Sequence, residues 1–246
     1  MPCRPYATGG SWWRLEGGPA TTYGAGDAVA ARPLCRYVRI WREQCSQVGR
    51  NLAKFLVLYA HPLSDSFGAE VHRCVLDALG KSGHQIDDCD LYAENFSPVM
   101  TSDERRAYHD PNANTQAVLP YIERLLQADG LVLVYPTWWY GMPAILRGYI
   151  DRVWLPGVAF ELVKGRTRPL LQHITRFAVV TTYGSPWWLQ TFVARDPNRH
   201  ALMHGIRYLV ARRAKTRWLA LYGLDYINED KRRRFLERVG RGLQNL

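Results

Sequence analysis

The sequence lacks what would tie it to a membrane, a metal or an oxidising compartment. No apolar run approaches the roughly 20 residues that a bilayer-crossing helix needs; the longest candidate, Gly130 to Tyr135, is strand-sized. The N-terminus lacks the apolar centre of a secretory signal. Cys3, Cys35, Cys45, Cys74 and Cys89 include no Cys-x-x-Cys pair and have no histidine partner at metal-ligand spacing. An odd cysteine count in a chain of this length reads as free thiols in a reducing compartment. The expectation is a soluble, cytoplasmic protein with no stable membrane insertion. His72, His84, His109, His173, His200 and His204 are scattered and form no metal constellation. There is no nucleophile elbow and no Ser-His-Asp set.

Acidic residues are also scarce, 22 against 32 Lys and Arg, which leaves a formal charge of +10. Such an excess raises the question of nucleic acid or a membrane surface. Its distribution argues against both. Residues 1–50 carry seven Arg and three acids, and much of the rest lies near the C-terminus. The run Lys231-Arg232-Arg233-Arg234 follows Glu229 and Asp230 on an expected helix and reads as a solvated face. No ladder of basic residues interleaved with aromatics is present, so no nucleic-acid partner is expected.

The chain divides into two unequal parts. Residues 1–50 hold Gly9-Gly10, Gly17-Gly18-Pro19 and Ala25-Gly26 without a sustained period. From Leu34 to Val48 the apolar positions recur at helical spacing. This part is expected to be a poorly ordered extension, or else an Arg-rich targeting leader. Residues 51–246 alternate between strand-like and helix-like segments. Strands are expected at Lys54–Ala60, Gln85–Leu91, Gly130–Tyr135, Arg176–Thr182 and Thr216–Tyr222. Helices are expected at Phe67–Ser82, Ser102–Tyr108, Thr115–Gln127, Pro143–Val153, Arg199–Arg212 and Glu229–Leu243. Continuously apolar strands separated by helices give an α/β fold with a doubly wound, five-stranded parallel sheet. Ligands of such sheets sit beyond the carboxyl ends of the strands, which directs attention to the loops there.

The first loop reads His61-Pro62-Leu63-Ser64-Asp65-Ser66-Phe67-Gly68 and precedes a helix. Free amides and the helix dipole there favour an anion, with Ser64, Ser66 and His61 as donors. It is neither a Walker motif nor a Gly-x-Gly-x-x-Gly fingerprint. The same residues also suit a plain helix cap. The loop after the third strand reads Pro136-Thr137-Trp138-Trp139-Tyr140-Gly141-Met142-Pro143. Three adjacent aromatics between Pro and Gly suit either a flat heteroaromatic ring or a plug over the sheet end or a subunit interface.

Taken together, these stretches resemble the NAD(P)H:quinone oxidoreductase family, the DT-diaphorase-like branch of flavodoxin-like folds with its modulator-of-drug-activity relatives. The resemblance rests on Ala60-His61 with Ser66-Phe67, on Asp90-Leu91-Tyr92 with Phe96, and on Tyr135 to Ala144. It continues through Leu146, Gly148, Asp151-Arg152-Val153 and Phe160. It implies that His61, Ser66, Phe67 and Gly68 hold the phosphates of FAD or FMN. Pro136, Thr137, Trp138, Trp139, Tyr140 and Gly141 would cradle the flavin ring. Thr181, Thr182, Tyr183 and Gly184 stand where the family has Thr-Thr-Gly-Gly and would touch the ring's other end. The hydride donor would be NADPH or NADH, the acceptor a quinone or similar electrophile, the kinetics ping-pong and the assembly a homodimer.

Two departures stand out. Gly68 replaces an Asn common among relatives, and Tyr183 replaces a Gly, adding bulk beside the ring. The Tyr and His with which animal members assist hydride transfer have no counterpart, since in the stretch after Gly184 Trp187 lies near the Tyr position and no His occurs before His200. Tyr183 is therefore the one candidate catalytic side chain. Two other readings remain: a flavoprotein electron carrier or ancillary subunit of potassium-efflux type, and a domain that has lost its cofactor. The insert Phe160–His173 favours a substrate pocket. Arg212-Arg213 with Lys215 would suit either the extra phosphate of NADPH or simple solvation.

Overall fold

The computed structural model describes residues 52–110 and 113–246. The expectations for residues 1–50, including the helix from Leu34 to Val48, lie outside the described residues. The rest follows the alternation in the sequence. Strand β1 (Lys54–Tyr59) leads to helix α1 (Phe67–Lys81) and then to β2 (Gln85–Asp90). Helix α2 (Ser102–Ala107) is followed by a 3-10 turn at Gln116–Val118 and by α3 (Leu119–Gln127). Next come β3 (Gly130–Pro136), α4 (Ala144–Val153), and a hairpin of β4 (Phe160–Val163) and β5 (Arg166–Pro169). Strand β6 (Arg176–Thr182), the four-residue α5 (Pro197–His200), β7 (Lys215–Leu221) and α6 (Glu229–Gln244) complete the domain.

The five long strands form one parallel sheet in the order β2-β1-β3-β6-β7. Side chains alternate between its two faces. Leu56, Leu58, Leu131, Leu133, Phe177 and Val179 point into a core completed by α3 and α4. Phe55, Val57, Val132, Val134, Ala178 and Val180 point the other way, against α1 and α6. Being buried on both faces explains why β1, β3 and β6 read as continuous apolar runs. Edge strand β2 is more polar, and Arg124 of α3 covers it by pairing with Asp87 at 2.7 Å and with Glu94 at 2.8 Å.

Two expectations fail here. The segment Arg199–Arg212 is not a regular helix. Helix α5 passes into a π turn at Ala201–Gly205, a 3-10 turn at Ile206–Leu209 and an isolated bridge between Val210 and Leu171. Tertiary packing of Leu202 and Val210 onto the α3/α4 side overrides the apolar spacing that suggested a helix. The insert Phe160–His173 contains the β4–β5 hairpin, whose short and largely polar second strand carries no strand signal.

Helix α4 approaches the loop before α2 at Gly148. A Cβ there would land on the backbone carbonyl and Cα of Pro98, and backbone cannot rotate aside. Gly148→Ala is therefore expected to cost about 3 kcal/mol, the upper range for overpacking, measured as a lower denaturant midpoint with unchanged slope. A loss below about 0.5 kcal/mol would show that the loop can yield.

Candidate functional site

The connection from β1 runs to β2 on one side of it, whereas β3 lies on the other, so the chain reverses direction across the sheet between β1 and β3. A crevice opens beyond the carboxyl ends at such a switch point. The three loops singled out by sequence, after β1, β3 and β6, all end at this crevice.

The β1 loop is organised around His61 and Ser66. Ser66 is the N-cap of α1: its backbone is extended (φ −79°) and its Oγ accepts from the Ala69 amide at 3.2 Å. The Ser66 hydroxyl donates to the Leu63 carbonyl at 2.8 Å, so its proton is used within the loop. The Leu63 amide donates to His61 Nδ1 at 3.0 Å. An amide has no other sense, so Nδ1 is the acceptor and Nε2 carries the proton, free to donate outward. The amides of Phe67 and Gly68, first in α1, have no acceptor among the described residues. At Gly68 a Cβ would sit 3.0 Å from His61 Cδ2, so the imidazole packs slightly closer to the helix start than a side chain there would let it. Two further groups complete this end. The Tyr59 hydroxyl is buried close to Ser66, and Tyr59 lines a small cavity together with Gly68, Val71, Thr181 and Thr182. Arg232 lies over the Phe67 ring at 5.7 Å, and its Nε lacks a partner. This corrects the reading of the basic run: Lys231, Arg233 and Arg234 are exposed, but Arg232 turns in.

The β3 loop closes as a tight turn in which Trp138 and Gly141 exchange both backbone hydrogen bonds at 3.0 Å. The two central residues have positive φ, 47° at Trp139 and 61° at Tyr140. That is the backbone of a type I′ turn, normally occupied by Asn-Gly, here imposed on two large aromatics. Trp139 is 96% exposed, so packing within the chain does not explain its strain. Backbone strain of this kind concentrates at functional sites.

The β6 loop is joined to it directly. The Thr137 amide donates to the Thr182 carbonyl at 2.8 Å, and the hydroxyls of Thr137 and Thr181 lie 2.8 Å apart. A Cβ at Gly184 would meet Asp225 Oδ2 at 2.6 Å, which explains a glycine there. Between the loops lies a cleft of about 190 Å3 lined by Thr137, Trp139, Tyr140, Tyr183, Gly184, Ser185 and Gln190.

Tyr183 does not behave as expected of a catalytic side chain. It is 1% exposed and stacks on Tyr222 with ring centres 4.6 Å apart. Its hydroxyl donates to Asp196 Oδ1 at 2.9 Å. Burial, then the neighbouring Asp196 charge, pushes its pKa far above the ordinary phenol value, although a hydrogen bond from Asn198 opposes the rise. The ring turns inward beneath the loop, and neither adds bulk to the cleft nor offers it a proton. Asp196 and Asn198 were missed by sequence reading. The dipeptide Asp196-Pro197 carries a cap signal, an Asp N-cap before Pro at the first helical position, and Asp196 does accept the Arg199 amide at 3.2 Å. Nothing local shows that both side chains are buried under the site. Arg212, Arg213 and Lys215 lie at the amino end of β7, the opposite edge of the sheet from the crevice. The β4–β5 hairpin does not line the cleft.

These features suit a flavin at both ends. The His61 Nε2–H, the free amides of Phe67 and Gly68, and Arg232 form a donor set for phosphate. The loops after β3 and β6 offer backbone polar groups beside aromatic faces, the two kinds of contact a heteroaromatic ring takes.

Among known proteins, a family model described as flavodoxin-like fold matches residues 53–232. An uncharacterized NAD(P)H oxidoreductase of Escherichia coli K12 is 36% identical over 108 residues, 44% of this chain and 55% of that protein. The chain thus spans about half the length of that relative. An uncharacterized NAD(P)H oxidoreductase of Haemophilus influenzae is 32% identical over 156 residues, 61% of this chain and 75% of that one. Among solved structures, an NAD(P)H:quinone oxidoreductase from Methanothermobacter marburgensis aligns with a TM-score of 0.69 and 26% identity, covering 78% of this chain and 98% of that one.

The strained turn makes a testable case. Replacing Trp139 and Tyr140 together by Asn and Gly supplies the residues a type I′ turn prefers. The ligand-free protein is expected to gain about 1 kcal/mol, a rise of about 3 °C in Tm by calorimetry. An unchanged or lower Tm would mean that the two aromatic rings themselves hold the turn.

Proposed function

The chain belongs to the flavodoxin-like family, alongside NAD(P)H oxidoreductases and quinone dehydrogenases, and we propose that it is a flavin-dependent NAD(P)H oxidoreductase reducing quinones by ping-pong hydride transfer. The observation that carries this reading is the pairing, at one switch point, of an anion-binding helix start with a strained aromatic turn. A bound flavin, FMN or FAD, supplies the hydride chemistry between a reduced nicotinamide and a quinone. The protein's own residues bind, orient and shield. His61 Nε2 and the Phe67 and Gly68 amides hold the phosphate, with Arg232 adding positive charge. Pro136 to Gly141 and Thr181 to Gly184 fix the ring through backbone groups, while the side chains of Trp138 and Tyr140 give it an apolar border. Among the cleft-lining side chains Tyr140 is an exposed phenol, and with Tyr183 turned inward the quinone's protons are expected from solvent or through Tyr140. Free Cys74 and Cys89 fit a reducing, cytoplasmic setting, and no described helix is long and apolar enough to cross a membrane.

The rim of the cleft supports a homodimer. Trp139, Trp187, Trp188, Phe192 and Val193 are all exposed there. A cluster of large apolar side chains of this size marks an interaction surface, and a second copy would cover it. Analytical ultracentrifugation is expected to give twice the chain mass at micromolar concentration, and a monomer on replacing Trp187 and Phe192 by Ser. A wild-type monomer would remove the dimer from the proposal.

The visible spectrum of the purified protein, before and after anaerobic NADPH, tests the central reading. An oxidised flavin spectrum that bleaches and returns on adding menadione is the expected result. A spectrum that stays oxidised would point to an electron carrier. No flavin on the protein, and none retained after incubation with FMN or FAD, would overturn the reading.

A further inference from the structure

Beneath the site runs a buried chain of side-chain hydrogen bonds with one direction. It begins at Asp196, 7% exposed, held with Arg195 in the left-handed region at φ 42° and 59°. A carboxylate only accepts. It receives the hydroxyl of Tyr183 at 2.9 Å, the hydroxyl of Tyr222 at 3.3 Å and the Arg199 amide at 3.2 Å. The single proton of Tyr183 is thereby spent, so Tyr183 Oη meets Asn198 only as an acceptor. That orients the Asn198 amide: its Nδ2 faces Tyr183 at 3.3 Å and Thr137 Oγ1 at 3.0 Å. Its Oδ1 is left to accept the Tyr135 hydroxyl at 3.0 Å. Asn198 is 3% exposed and its three side-chain hydrogen bonds agree with one orientation. The chain ends at Thr137, which lines the cleft.

We propose that Asp196 and Asn198 are positioning residues that make the Thr137 hydroxyl a hydrogen-bond donor to the ring bound in the cleft, an inference that rests on the flavin reading above. Asn198 takes one lone pair of Thr137 Oγ1; in the 2.8 Å contact between the Thr137 and Thr181 hydroxyls, where either oxygen could donate, the proposal assigns Thr181 as the donor, which leaves the Thr137 hydrogen to the cleft. If the amide faced the other way, its carbonyl would take that hydrogen and Thr137 would meet the ring as an acceptor. A donor binds the electron-richer, reduced ring more tightly than the oxidised one, so the orientation relayed from Asp196 through Tyr183 and Asn198 acts to raise the potential of the bound flavin, against the direct effect of the carboxylate's own negative charge. The effect is large for one hydrogen bond because the network is screened from water.

The test is spectroelectrochemical titration of the full chain loaded with FMN. Thr137→Val removes the end of the chain, and Asn198→Leu removes the amide that orients it without adding a charge. Each is expected to lower the midpoint potential, equivalent to about a tenfold loss in the preference for reduced over oxidised FMN. Thr137→Ser keeps the hydroxyl and is expected to retain the wild-type potential. Tyr222→Phe removes a contact to Asp196 that is not on the path to Thr137, so it is expected to lower Tm and leave the potential unchanged. Combining Asn198→Leu with Thr137→Val is expected to add no further shift. An unchanged potential in Thr137→Val, or an equal shift in Tyr222→Phe, would overturn the proposal. If Asn198→Leu fails to fold, the Thr137 pair decides alone. A wild-type chain that binds no flavin overturns this proposal together with the reading on which it rests, whereas a wild type that binds FMN with variants that do not differ overturns this one only.

Discussion

Parallel pairing of β1, β3 and β6 is the constraint on which the rest of the site depends. Parallel strands place all their carboxyl ends at one edge, so three loops far apart in sequence must meet there. The β3–β6 ladder does not stop at the last strand residue. The Thr137 amide carries it one step further, onto Thr182. The aromatic turn and the β6 loop are therefore two extensions of a single piece of sheet, and their spacing is inherited from strand pairing rather than negotiated between flexible segments. A site built this way keeps its geometry only while the sheet is intact, which is why the packing of α1, α3, α4 and α6 on its two faces matters to function.

The loops at that edge carry strain that the core does not. Trp139, Tyr140, Arg195 and Asp196 all adopt positive φ without being glycine. Each such residue costs of order 1 kcal/mol or more. The strain is held by identifiable bonds: reciprocal backbone pairing of Trp138 with Gly141 in one case, and the Asp196 hydrogen bonds to Tyr183, Tyr222 and the Arg199 amide in the other. Both strained pairs flank the same cleft. A domain with so large a two-sided core can offset such a cost, and it falls at the places where side chains must be aimed rather than merely packed.

How legible this was in the sequence depended on the range of the interactions. The long strands could be read because burial on both faces leaves an uninterrupted apolar run such as Phe177 to Val180. Helix α1 could be read because Ser66 caps it and Val71, Val75 and Leu79 repeat along one face. The β4–β5 hairpin was missed because Arg166-Thr167-Arg168-Pro169 has no alternation. The irregular stretch after α5 was misread because tertiary contacts there override its helical spacing. The buried network was invisible for a different reason: Tyr135 and Asn198 are 63 positions apart, and neither residue type signals burial. The loops after β1 and β3 were picked out from local composition and the loop after β6 through the family resemblance, while the means of holding them together is non-local throughout.

The two substitutions that set this chain apart from the family it resembles change meaning once geometry is known. Gly68 stands where relatives commonly carry Asn, which taken alone suggests a lost contact with the phosphate. A Cβ at position 68 would come within 3.0 Å of His61 Cδ2, so Gly68 lets the imidazole pack a few tenths of an ångström closer to the helix start than a side chain would. Tyr183 stands where relatives carry Gly, which taken alone suggests a crowded ring site. Its side chain instead turns into the interior, and its hydroxyl relays the orientation of Asp196 to Asn198. A glycine at that position would leave Asn198 without the neighbour that fixes its direction. The second departure is thus compensated within a few ångströms, by an aspartate and an asparagine, and is no reason to regard the site as a remnant.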